Sequence, residues 1–342
     1  MMKTDTQNLD LVAVTTYLSD HLPGLDGPIT ASKFQQGQSN PTFLLQTPTK
    51  RLVLRRKPPG QLLKSAHAVD REFRVQSALA NSDVPVAKML HLCEDETVIG
   101  SMFYVMEHVD GRNFGFPHLP DVPVSERTAI MTEMNRVLAA LHDIDIEQRG
   151  LTDYGPPGNY FERQINRWSK QYRASETETI PAMDRLIAML SEQIPDDEGQ
   201  RGLVHGDYRI DNMIFARDST DCLAVLDWEL STIGHPFADL AAVIMQWQMP
   251  VGAEGRGLEG ADRKALGLPS DADFIAQYCD RRRLPPIKNF GFYLSFCFFR
   301  MAAIIQGVRK RALSGNASNP ERAAKIGAKV PLFAQRGVDA LR

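Results

Sequence analysis

Apolar residues recur at Leu11, Val14, Leu18 and Leu22, a helical spacing that Pro23-Gly24 closes. Three short extended runs follow, Ile29 to Gln36, Thr42 to Thr47 and Arg51 to Arg56. They are joined by GQSNP and TPTK, which predicts an antiparallel meander. Ala66 to Ala80 reads as a helix with Phe73, Ala78 and Leu79 apolar and Glu72 among them. Val86 to Cys93 and Met102 to Val109 then add two strands, giving a five-stranded sheet with one helix. Beyond Gly111 the period becomes helical. Ser125 is predicted to cap a core helix carrying Ile130, Met134, Val137, Leu138 and Leu141. Helices are also predicted over Tyr160 to Tyr172, Pro181 to Ile194, Leu240 to Gln248, Ala272 to Cys279, Phe290 to Leu313 and Glu321 to Ala334. The class is α+β.

Two short apolar runs interrupt the helical part, Leu203-Val204 and Leu223 to Leu226, and each leads to a carboxylate, Asp207 and Asp227, with Asn212 between them. That order suits Mg-bound phosphate. One carboxylate orients an attacking hydroxyl, while an amide and a second carboxylate hold the ion. Upstream, Arg55 ends a strand and Glu72 lies on the next helix, so a cation and a carboxylate can meet. In a phosphotransferase such a pair positions the α- and β-phosphates; elsewhere it is a surface salt bridge of little weight. Gly37, Gln38, Ser39 and Asn40 present backbone N–H groups that could fold over an anion, or form an ordinary hairpin turn.

A chain of 342 residues with 43% apolar content can bury the cores of two lobes. Its net charge of -3 gives no electrostatic basis for nucleic acid as a partner. Residues 254–342 nevertheless hold 16 Lys and Arg against 8 Asp and Glu. The clusters Arg281-Arg282-Arg283 and Arg309-Lys310-Arg311 face either an anionic substrate or solvent. The four cysteines show no CxxC or zinc spacing, so reduced thiols in a cytoplasmic protein are expected. MMKTDTQNLDL lacks an apolar core of signal-peptide length. Phe290 to Val308 is interrupted by Arg300 and Gln306 and reads as a buried helix, with no membrane span expected. The absence of GxSxG and HExxH removes serine-hydrolase and metallohydrolase signatures.

HGDYRIDN (His205 to Asn212) resembles the catalytic loop of the aminoglycoside phosphotransferase and choline kinase-like family. LDWELSTIGHPFADLA (Leu226 to Ala241) resembles its metal-binding strand and the Asp-Leu-Ala signature that follows. The resemblance runs from about Phe34 to Leu240. Leu52 to Gly60 and Asp70 to Val75 are most similar to the kinase-like domain that animals carry fused to an acyl-CoA dehydrogenase. The resemblance implies a two-lobed protein kinase-like fold, with a nucleotide-binding lobe over residues 1–108 and a catalytic and substrate-binding lobe over 109–342 closing on ATP. Asp207 is then the base, Asn212 and Asp227 the Mg ligands, and Arg209 either a contact to the transferred phosphate or an ion-pair partner of Asp211. His205 would organise the loop, and Asp239 would brace it by accepting backbone donors. Glu229 would support the metal or face solvent.

Met106, Glu107, His108 and Val109 would join the lobes and read adenine, while Gly37, Ser39 and Asn40 would contact phosphate. Two departures stand out: Arg55, or Lys57 in a shifted register, occupies the place of the strand lysine, and the Gly-rich loop is reduced to Gly37. The implied reaction is ATP- and Mg-dependent phosphorylation of a small hydroxylated metabolite, with a hydroxyacyl-CoA or hydroxy acid favoured. An aminoglycoside- or choline-type kinase and a nucleotide-binding pseudokinase regulating a partner are the alternatives.

Overall fold

The computed structural model describes residues 9–25, 27–34, 40–58, 68–196, 200–252, 256–315 and 320–342. Gly37, Gln38 and Ser39 lie outside the described residues. The chain forms two compact units, one of residues 1–115, 148–151 and 210–231, the other of 116–147, 152–209 and 232–342.

The first unit opens with α1 (Leu11–His21), whose start is capped by Asp10 accepting from the Ala13 N–H at 3.0 Å. The meander follows as β1 (Thr30–Lys33), β2 (Thr42–Gln46) and β3 (Arg51–Arg56), then α2 (Val69–Ala78), β4 (Met89–Cys93) and β5 (Phe103–Glu107). The sheet order is β1-β2-β3-β5-β4 with every neighbour antiparallel. Because side chains alternate across a strand, Leu52 and Leu54 enter one apolar cluster with Phe103, Val105 and the Val14 and Leu18 face of α1. Val53 and Arg55 therefore emerge on the opposite face. A hairpin of Met213–Phe215 and Cys222–Val225 completes this unit. Gly111 runs so close to it that a Cβ there would stand 2.4 Å from the Phe215 carbonyl oxygen, which accounts for glycine at that point.

The second unit is mostly helical: α3 (Val124–His142), α4 (Tyr160–Ser175), α5 (Pro181–Glu192), α6 (Phe237–Trp247), α7 (Asp271–Arg281), α8 (Phe290–Leu313), α9 (Pro320–Gly327) and α10 (Val330–Ala340). Two expectations are corrected. Ser125 lies inside α3, whose N-cap is Pro123 with no side-chain cap bond. The segment read as one helix over Glu321 to Ala334 is two, because Pro331 lacks the N–H a continuing helix needs and starts a new first turn instead. Long α8 packs against α4, α5, α6, α9 and α10. Among the described residues it alone is long and apolar enough to cross a membrane, and 61% of its apolar window is buried inside the fold. All four cysteines are buried, and none is in a disulfide.

Candidate active site

The charged centre of the first unit is Arg55. Its Nε lies 2.9 Å from Glu72 Oε2, and its Nη2 lies 2.7 Å from Asp227 Oδ1 and 3.6 Å from Glu229 Oε2. The strand cation and the helix carboxylate foreseen from the sequence thus meet, and it is Arg55 rather than Lys57 that does so, Lys57 lying beyond the end of β3. Glu229 turns to this cation. Glu72 is 1% exposed, and its carboxylate also accepts from Asn40 Nδ2 at 2.7 Å and from the Tyr104 hydroxyl at 3.1 Å. Sequence reading missed Tyr104; the β3–β5 register sets it directly beside Arg55. Burial works against the charge on Arg55, but Glu72, then Tyr104, Asp227 and Glu229, more than offset it and raise its pKa. Burial pushes the Glu72 carboxyl up, opposed by Arg55 and Tyr104.

A cavity of about 320 Å³ opens beside this cluster. Val53, Ala87, Met106 and Leu226 give it apolar walls, and Arg55, Glu72, Asn212 and Asp227 its polar end. Glu107, His108 and Val109 line its edge. The Glu107 and His108 N–H groups are spent on the carbonyls of Lys88 and Arg51, whereas the Val109 N–H has no hydrogen-bond partner among the described residues. Asn212 ends a short 3-10 turn, and its carbonyl accepts from the Leu226 N–H at 2.7 Å, which ties the turn to the residue before Asp227. Asp227 itself is left-handed, at φ 64 and ψ 60. Such a conformation in a residue other than glycine is uncommon and concentrates at functional positions.

Among the described residues no three His, Cys, Asp or Glu side chains gather as a metal cage. Among the groups that line the cavity are the carboxylate of Asp227 and the amide of Asn212. That set fits Mg, which keeps several waters and binds through one or two protein oxygens plus substrate phosphates. A second cavity, of about 440 Å³, lies in the helical unit, where Arg263 and Arg336 reach it. Both cations are already paired, with Asp271 and Glu259.

In the second unit, Gly202–Val204 pairs with Thr232–Gly234 and delivers the loop that carries Asp207. Asp239, in the first turn of α6, accepts from the His205 N–H at 2.6 Å and the Gly206 N–H at 2.9 Å, the bracing expected of it. Gly206 stands at φ +83, and its carbonyl accepts from Arg300 Nη2 at 3.0 Å. His205 is buried, and its Nδ1 accepts from the Asp207 N–H at 3.3 Å. The Asp207 side chain is 36% exposed, and Arg209 Nε lies 3.3 Å from its Oδ1. Gly234 packs under Tyr160, where a Cβ would approach the ring to 2.7 Å.

Next to Gly234, His235 stacks on Tyr293, and its Nδ1 accepts from the Phe237 N–H. Burial, with the charges of His142 and Arg282, pulls its pKa down to about 4. A buried neutral histidine binds its proton later than the unfolded chain does, so stability rises with pH between about 4 and about 6.5. Denaturant midpoints are expected to fall on acidification through that window, corresponding to up to about 3 kcal/mol from this group. His235→Asn, which retains an acceptor for Phe237, is expected to flatten that limb.

The basic clusters after residue 254 are partly committed within this unit. Arg282 pairs with Asp143, Arg309 with Glu178, and Lys310 donates to the Ala174 carbonyl.

A model of the phosphotransferase enzyme family matches residues 30–274. Acyl-CoA dehydrogenase family member 10 of mouse is 46% identical over 308 residues, covering 88% of this chain and 29% of that protein, so the chain spans less than a third of this relative's length. A Ralstonia eutropha crystal structure, provisionally assigned as an aminoglycoside phosphotransferase, is 46% identical, with a TM-score of 0.89 over 97% of this chain and 98% of that one. Choline kinase from Cryptosporidium parvum shares the fold, with a TM-score of 0.64 at 13% identity over 96% and 97% of the two chains.

Proposed function

The chain belongs to the phosphotransferase enzyme family, and on that premise we propose that it moves the γ-phosphoryl group of ATP to a hydroxyl of a small metabolite. The observation that carries this reading is Arg55 bound at once to Glu72 and Asp227 at the end of an apolar cavity. Adenine occupies the apolar part, read by the backbone of Glu107 and Val109. Gly37, Ser39 and Asn40 follow the phosphates, and Arg55, held by Glu72, pairs with the α- and β-phosphates. Asn212 and Asp227 hold Mg, which when bound offsets charge on the phosphate oxygens.

Asp207 aligns the acceptor hydroxyl and takes its proton as the oxygen–phosphorus bond forms and the bond to the β-phosphate oxygen breaks, releasing ADP. Arg209 steadies charge on the transferred group. Positioning carries most of the catalysis, since phosphoryl transfer passes through a loose transition state.

The acceptor favoured is a hydroxyacyl-CoA, with free hydroxy acids next. Support comes from the identity to an acyl-CoA dehydrogenase family member and from the positive balance of residues 254–342. A screen of hydroxyacyl-CoAs, hydroxy acids, choline, sugars and aminoglycosides for ADP release is expected to give turnover on a CoA ester. Turnover of an aminoglycoside with none on any CoA ester would reverse the preference. Four buried cysteines outside any disulfide accord with a reducing, cytoplasmic setting.

One observation favours a second reading, nucleotide binding without chemistry: Arg55, standing where a lysine is usual, lies on the carboxylate that would hold the metal.

A further inference from the structure

Asp239 is the anchor of the loop that carries Asp207, and it has a third donor. His142, at the end of α3, places Nε2 3.4 Å from Asp239 Oδ2 and Nδ1 2.7 Å from the hydroxyl of Tyr278 on α7. All three side chains are buried. One turn further, Arg282 donates from Nη1 to the Tyr278 oxygen at 2.9 Å and from Nε to Asp143 Oδ1 at 2.8 Å.

Donor and acceptor roles follow from these partners. Burial alone would raise the Asp239 pKa, but its bond with His142, the charges of the two histidines and the His205 amide more than offset this and lower it, so Asp239 is an acceptor. His142 Nε2 then carries the hydrogen, Nδ1 is left to accept, and Tyr278 must donate to it. The tyrosine oxygen in turn accepts from Arg282. Every bond in the chain Arg282, Tyr278, His142, Asp239 points the same way, ending on the carboxylate that holds the His205 and Gly206 N–H groups.

We propose that Tyr278 and Arg282 are positioning residues for phosphoryl transfer: through His142 and Asp239 they set the backbone of His205 and Gly206, and with it the place of Asp207. The proposal rests on the reading of Asp207 as the base. It gives one member of the Arg281-Arg282-Arg283 triplet a role other than facing an anionic substrate. A buried hydroxyl on a satisfied core histidine would need no cation behind it; here the cation bridges Tyr278 and Asp143, the residue next to His142.

Tyr278→Phe removes only the hydroxyl and keeps the ring against His142, whose centroid lies 5.6 Å away. Arg282→Met removes the outer donor. Two readouts are taken on the full chain well below its melting temperature: amide hydrogen exchange, and ADP release from Mg-ATP with the best acceptor found. Exchange at His205 and Gly206 is expected to rise about three- to tenfold in both variants, the weight of one buried hydrogen bond. The kcat is expected to fall by a similar factor with the nucleotide KM unchanged.

Arg282→Lys, which keeps one donor, is expected to fall between wild type and Arg282→Met. Wild-type exchange at the two amides, or a rise spread evenly over the chain, would overturn the proposal. So would faster exchange with unchanged kcat. If the wild type transfers phosphate to nothing, the reading of Asp207 fails and the proposal with it, while the exchange data separately report whether the chain holds the loop.

Discussion

Asp207→Asn is expected to bind Mg-ATP with little change and to lose turnover by about 10²–10⁴-fold, the usual weight of a positioned acid–base group. The variant is a clean test because other groups anchor the loop. Asp239 grips the N–H groups of His205 and Gly206, Arg300 grips the Gly206 carbonyl, and Tyr208 donates to the Met134 carbonyl at 2.8 Å. The amide is isosteric with the carboxylate and keeps an oxygen for Arg209, but it cannot take a proton. Steady-state kinetics and nucleotide titration distinguish the cases. A higher KM with normal kcat would assign Asp207 to binding. Equal binding by wild type and variant, with neither turning over any acceptor, would favour the regulatory reading.

Asp227→Asn is expected to weaken the dependence on Mg and to lower kcat by at least about a hundredfold, since charge stabilisation at the transferred phosphate is often the largest catalytic contribution. Structural damage should be small: Arg55 keeps Glu72 at 2.9 Å, and Glu72 keeps Asn40 and Tyr104. Wild-type protein at a hundredfold excess of Mg-ATP over its Kd gains about 2.7 kcal/mol of stability. The variant should show much less of this gain, and EDTA should make the two melt alike in the presence of ATP. An unaltered Mg-dependent shift in the variant would remove Asp227 from the metal site.

What could be read in advance followed the range of the physics. Short apolar runs bounded by turn residues mark strands, so the meander and Arg55 at the end of its third strand were visible in Thr42 to Arg56 alone. Glu72 was visible as one of two carboxylates, with Asp70, in a helical pattern. Tyr104 was not, since its place beside Arg55 depends on β5 inserting between β3 and β4, a pairing between distant segments. Tyr278 and His142 are 136 residues apart, and both look like ordinary core residues on their own helices. Local signals also misled. Ser125 has the chemistry of a cap but sits one residue inside its helix, and the apolar spacing that runs through Pro331 hid the break there.

The left-handed backbone of Asp227 narrows what can ever replace it. Residues other than Gly, Asn and Asp pay about 1–2 kcal/mol in that conformation. Glutamate would preserve the charge yet strain the chain, so a failed Asp227→Glu would report on the backbone and not on metal chemistry. Strain-free loss of the carboxylate leads only to asparagine or glycine. Among homologous chains, those two residues at this position are therefore the mark by which lineages that bind nucleotide without transferring phosphate should be recognisable.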